Sequence, residues 1–157
     1  MDLSNYRVFQ SLNRTQIENF VAACAEEKYP AGKELITRGG RGQHMYFLLE
    51  GELRVHVPGT PGDLAVLKPP AVVGEMELLT DLPRSASVTA STDVVMLSVP
   101  FDAMRARLKD EDPATLKIMY NVATVLALRL SATVNKLIEL ESTPGARSGS
   151  GSSDGPS

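Results

Sequence analysis

Gly74-Glu75-Met76-Glu77-Leu78-Leu79, followed after a short turn by Pro83-Arg84-Ser85-Ala86-Ser87, decides how this chain is read. The stretch sets one carboxylate, Glu75, at the mouth of a short helix and one arginine, Arg84, at the start of a strand. A glycine precedes the acid and a proline precedes the base. An acceptor for sugar hydroxyls and a forked cation for phosphate oxygens are what a small ribose phosphate needs. The same two charges, standing nine residues apart, would also fit a surface ion pair worth about 0–1 kcal/mol. Their surroundings separate the two readings.

On both sides the chain is rich in turns. Pro30-Ala31-Gly32, Gly39-Gly40-Arg41-Gly42, Glu50-Gly51 and Pro58-Gly59-Thr60-Pro61-Gly62 punctuate it at short intervals. Between them lie Leu35-Ile36-Thr37, Met45-Tyr46-Phe47-Leu48-Leu49 and Leu53-Arg54-Val55-His56-Val57, which read as strands. The last alternates, with Leu53, Val55 and Val57 on one face. Further strands are expected over 64–67, 85–90 and 94–99. Many short strands with frequent turns point to a small antiparallel barrel or jelly roll, flanked by helices in an α+β fold.

Asn13-Arg14-Thr15-Gln16 has the form of a capping box, with Ile17, Phe20, Val21 and Cys24 at helical spacing behind it. Residues 5–9 form a shorter helical turn. Pro100 reads as the first residue of a helix over 101–108. Asp112-Pro113 then supplies an N-cap and an N1 proline to a long helix. Along it Leu116, Met119, Ala123, Leu126, Leu130, Thr133, Leu137 and Leu140 advance in threes and fours, a heptad seam. A second apolar row, Ile118, Val122 and Val125, lies on another side. Two stripes imply a helix that packs on its own domain and also meets another helix, making the apolar seam residues candidate homodimer contacts. The expected organisation is one domain over 1–141: N-terminal helices over 1–27, the β region over 28–99 with the cassette at 74–85, and C-terminal helices over 100–141. Residues 142–157 are nearly all Ser, Gly and Pro, too poor in apolar groups to offset their ordering entropy, and are expected to form a disordered tail.

Composition excludes several functions. A chain of 157 residues suits one well-packed domain. A net charge of -3 argues against a general affinity for nucleic acid or anionic membrane. The single cysteine, Cys24, rules out an internal disulfide, and His44 and His56 stand apart without a metal-ligand pattern. Neither histidine has a nucleophile or second base in its neighbourhood, so catalysis is not expected. No stretch approaches a signal pattern or the length needed to span a bilayer, and a cytoplasmic protein is expected.

The order of elements together with Gly-Glu-Met-Glu-Leu-Leu and Pro-Arg-Ser-Ala-Ser resembles the cyclic nucleotide-binding domain, from about Val8 to Leu140. Ala31-Gly32, Gly39, Tyr46 and Glu50-Gly51 fall where that family has them. The resemblance implies ligand contacts from Gly74, Glu75, Met76, Arg84, Ser85 and Thr133. Gly74 permits the turn into the pocket, Glu75 accepts from the ribose 2′-hydroxyl, and the amides beginning at Met76 face the ligand. Arg84 and Ser85 hold the phosphate. In the catabolite-activator branch a Thr-Ser pair on the long helix reaches the purine. Aligning Leu128-Arg129-Leu130 there puts Thr133-Val134 at that pair, so the threonine is kept and the serine is lost. The implied ligand is cAMP, with cGMP and cyclic dinucleotides open, no further cofactor and no metal. The implied role is a stand-alone sensor acting on a dimer or an unidentified effector protein, without a DNA-binding module. The alternative is a degenerate member that serves only as a dimerisation or docking module.

Overall fold

Turns at short intervals fold the apolar runs back on one another, and the computed structural model, which describes residues 3–142, resolves them into two antiparallel four-stranded sheets. One has the order β1 (Ala25–Tyr29), β8 (Val94–Pro100), β3 (His44–Glu50), β6 (Ala71–Val73). The other has the order β2 (Glu34–Ile36), β7 (Ser87–Ala90), β4 (Leu53–His56), β5 (Ala65–Leu67). The sheets stay separate, so of the two forms expected the jelly roll is right and the closed barrel is not. Three of the four edge strands are only three residues long, too short to carry a ladder from one sheet to the other. Two strands are additional to those expected. β1 starts at Ala25, inside the segment assigned to helices, and β6 leads directly into the cassette.

β3 shows how the layers are built. Met45, Phe47 and Leu49 face a core shared with the helices, while Tyr46 and Leu48 face the core between the sheets. Both faces are covered, which is why this strand reads as an unbroken apolar run. In the helical core Phe9, Phe20 and Phe47 meet with ring centroids 5.2–5.9 Å apart, a geometry that adds to their burial.

Helix ends follow local chemistry. Before α1 (Arg14–Val21) the Gln16 amide donates to Asn13 Oδ1 at 2.8 Å and the Asn13 amide donates to Gln16 Oε1 at 3.0 Å, closing the capping box. Cys24 lies past that helix, its thiol donating to the Phe20 carbonyl, and burial pushes its pKa up to about 11. Pro100 is not the first residue of α3 (Phe101–Lys109). It ends β8 paired with His44, with ψ 138°, and serves as the cap. α4 (Pro113–Ser142) starts where Asp112 Oδ2 accepts from the Thr115 amide at 2.9 Å and from its hydroxyl at 2.6 Å. Those bonds hold the Asp112 carboxyl below its usual range.

The two rows of α4 have different fates. Ile118 and Val122 are fully buried, and Asn121 Nδ2 donates to the Val8 and Gln10 carbonyls at 3.1 and 2.8 Å, fastening the helix to the N-terminal segment. Of the seam, Met119 and Leu126 turn partly into this core, while Leu116, Ala123, Leu130, Thr133, Leu137 and Leu140 are exposed. Every residue from 127 to 142 is exposed. Ser142, expected in the tail, is the last residue of α4, and 143–157 lie outside the described residues.

Candidate functional site

The cassette runs from the end of β6 to the start of β7. Gly74 turns the chain at φ +85°, and a Cβ there would lie 2.8 Å from Arg84 Nη1 and 3.0 Å from the His44 carbonyl oxygen. Both conformation and space therefore require glycine. Six residues of helix follow, α2 (Glu75–Thr80), stopped by Asp81 in the left-handed region. Arg84 is strapped to the 39–40 turn: its amide donates to the Gly40 carbonyl and its carbonyl accepts from the Gly39 amide, both at 2.8 Å.

The Arg84 side chain fills a slot between two glycines. A Cβ on Gly42 would stand 2.5 Å from Arg84 Cζ, as the one on Gly74 would meet Nη1. Inside the slot Nη2 donates to the His44 carbonyl at 2.7 Å and Nη1 donates to the Gly74 carbonyl at 3.2 Å. Nη1 also lies 3.3 Å from Glu77 Oε2, and the guanidinium sits 5.7 Å from the centroid of the Phe101 ring. A cleft of about 300 Å³ lined by Thr37, Gly40, Gln43, His44 and Tyr46 opens onto it. A larger and mostly apolar cleft, about 480 Å³, lies between Tyr6, Val72 and Leu128; Arg129 is one of its walls, but Arg84 and Glu75 are not.

Glu75 is 4% exposed. Its Oε1 lies 2.5 Å from Nη1 of Arg129 on α4, whose Nη2 also donates to the Val72 carbonyl at 3.3 Å. Burial raises the Glu75 pKa, the Arg129 guanidinium opposes that rise, and the Glu77 carboxylate adds to it. Two acids thus occupy the first turn of α2, each buried and each facing a different arginine.

The structure therefore sets Gly74 against Arg84, whereas Glu75, the next residue, turns to Arg129 and does not meet Arg84. Met76 is half-exposed, and Ser85 is exposed with its carbonyl accepting from Arg38 Nε. Thr133 is exposed one turn beyond Arg129, and its hydroxyl donates to the Arg129 carbonyl at 3.0 Å. Sequence reasoning assigned no role to Arg129, Glu77 or Gly42. Arg129 carried a signal nonetheless: it is the one charged residue in the eighteen between Lys117 and Lys136. Among the described residues no three His, Cys, Asp or Glu side chains are grouped to hold a metal ion, and no helix is long and apolar enough to cross a membrane.

The sequence profile of the cyclic nucleotide-binding domain matches residues 26–111, more than half of the chain. The chain belongs to the cyclic nucleotide-binding domain family. It is 30% identical over 129 residues to the cyclic AMP receptor protein of Thermus thermophilus, covering 78% of this chain and 56% of that protein. It is 26% identical over 141 residues to a CRP-like cAMP-activated global transcriptional regulator of Mycobacterium tuberculosis, covering 88% of this chain and 61% of that protein. A third relative, glutaminase 2 of Bradyrhizobium diazoefficiens, is 32% identical over 135 residues, 86% of this chain but 21% of that protein. This cyclic nucleotide-binding domain thus spans between 21% and 61% of the length of these three relatives. The crystal structure of Thermus thermophilus catabolite activator protein superposes with a TM-score of 0.75 at 28% identity, covering 86% of this chain and 63% of that one. The matched region includes the whole cassette and ends before α4, so Arg129 and Thr133 lie beyond it.

Proposed function

We propose that this domain is a cyclic nucleotide sensor whose ligand is cAMP, with Arg84 taking the cyclic phosphate and Glu75 the ribose hydroxyl. The observation that carries this reading is the pairing of buried Glu75 with the half-exposed Arg129, which ties the cassette to a helix 54 residues away in sequence. A ribose hydroxyl donating to Glu75 competes with Arg129 for the same oxygen, so occupancy changes what holds α4 against the cassette. Ligand then shifts the balance between two positions of α4, by as much as its affinity for the two differs. The cAMP-named relatives support cAMP as the first ligand to test. Thr133, next to Arg129 on the helix, is the residue proposed to reach the base.

Titration calorimetry with cAMP and cGMP tests the reading. Binding of cAMP in preference to cGMP is expected, with Arg84→Ala weakening it at least about a hundredfold, as for loss of a charge-assisted bidentate contact. No heat at millimolar ligand, or unchanged affinity in Arg84→Ala, overturns it. A second reading, a docking module that binds no ligand, is favoured by the exposed apolar half of α4. It predicts self-association indifferent to nucleotide. On either reading the domain's output is proposed to pass to a second copy of itself or to an effector protein.

A further inference from the structure

We propose that Glu77 is an internal anion that occupies the phosphate-binding arginine before ligand arrives, and thereby sets the affinity and charge selectivity of the pocket. The inference rests on the reading of Arg84 as the phosphate contact. Positions 75 and 77 are about 200° apart around a helix, so the two acids of α2 leave on different sides. Glu75 reaches α4, and Glu77 reaches into the slot. The Glu77 side chain is 10% exposed and that of Arg84 6%, with 3.3 Å between Oε2 and Nη1. The other Arg84 contacts are the His44 and Gly74 carbonyls and the face of the Phe101 ring, so of these partners Glu77 is the one that carries a full charge.

A phosphate arriving at Arg84 brings a second anion next to that carboxylate. Like charges within about 4–6 Å and shielded from water oppose each other strongly. Either Glu77 gives up its place on Arg84 or the phosphate is held more weakly. In both cases the free energy of binding is reduced by the contact already made inside the free protein. The opposition grows with ligand charge. A cyclic phosphodiester carries one negative charge, whereas a phosphomonoester such as 5′-AMP carries nearly two at neutral pH. Glu77 therefore selects for the cyclic ester on charge, independently of shape. A purely structural counter-ion, which only keeps Arg84 oriented, predicts the opposite sign: without it Arg84 loses its aim and binding weakens.

Calorimetry of the wild-type protein, Glu77→Gln and Glu77→Asp with cAMP and with 5′-AMP separates the two. Glu77→Gln is expected to bind cAMP about tenfold tighter, the scale of one close charge pair, and to gain more for 5′-AMP than for cAMP. Glu77→Asp withdraws the charge by one methylene and is expected to fall between, which keeps the test open if the glutamine variant fails to fold. Wild-type binding of cAMP with equal or weaker binding in both variants overturns this inference and leaves the sensor reading standing. No binding by any of the three proteins overturns both.

Discussion

At the scale of one residue, Glu75 sets a buried carboxylate against the stability of the fold. A carboxylate that is 4% exposed is poorly solvated, and burial raises its pKa despite the guanidinium beside it. The sign of the consequence follows from linkage. A carboxyl whose folded-state pKa is raised favours the fold in its protonated form, so its contribution is largest below its ordinary value near 4.5 and is lost as pH rises through the higher folded value. Glu75→Gln removes that loss and still offers Arg129 an oxygen. In the absence of ligand the variant is expected to melt at or above the wild-type temperature at pH 7, by about 2–4 °C for each kcal/mol recovered. It should also lose less stability than the wild type between pH 5 and pH 7. Its cAMP affinity is expected to fall at least about tenfold, because a neutral amide is the weaker acceptor. Thermal melts across that pH range check the first half and calorimetry the second. A lower melting temperature than wild type at pH 7 means that the Arg129 pair outweighs the burial of Glu75.

The elements that matter most are α2 and α4, joined through Arg129 although they are far apart in sequence. Arg129→Ala leaves Glu75 buried without its cation, at a cost of about 1–3 kcal/mol. The same change removes the ion pair through which the cassette is proposed to sense the helix. Amide hydrogen exchange is the direct readout: in the wild type, cAMP is expected to alter protection along 122–133, and in Arg129→Ala that response is expected to vanish while protection changes in the cassette persist. An unchanged α4 response places the coupling elsewhere. The same two elements mark how far sequence could be read. Capping at Asn13 and Asp112 depends on neighbours three residues on, and the cassette depends on a contiguous run, so these were legible. β1 was hidden because Ala25-Glu26-Glu27-Lys28-Tyr29 carries three charges in five residues and exists as a strand only by pairing with β8. Gly42 and Arg129 earn their roles from side chains 42 and 54 positions away, information that no local pattern contains. Phe101 is similar, as the approach of its ring to both the Arg84 and the Arg105 guanidinium groups, 5.7 and 5.5 Å from its centroid, follows from the β8–α3 junction rather than from any motif.

For the whole molecule, the unresolved tension is the sixteen exposed residues of α4 from 127 to 142, a rod of about 24 Å that projects past the domain's own core. Leu130, Val134, Leu137 and Ile138 recur at i, i+4, i+7 and i+8, with exposures of 65%, 45%, 58% and 60%, a wider apolar stripe than the heptad seam alone. Burying one such side chain is worth about 1.5–3 kcal/mol, so an isolated helix of this kind gains by pairing with another. Ridge-into-groove contact between two copies would cover Leu130 and Leu137 on both and bring each Arg129 close to the partner helix. Light scattering is expected to show a dimer, and the double substitution Leu130→Glu with Leu137→Glu is expected to reduce it to a monomer, since two like charges would face their copies across the seam. Because Gly74, Glu75, Arg84 and Arg129 all come from one chain, the monomeric variant is expected to keep cAMP affinity within about tenfold, less whatever Thr133 contributes across the pair. A wild-type monomer at high concentration rules out this use of the helix. Loss of all nucleotide binding in the monomeric variant shows instead that the pocket is completed by the second copy.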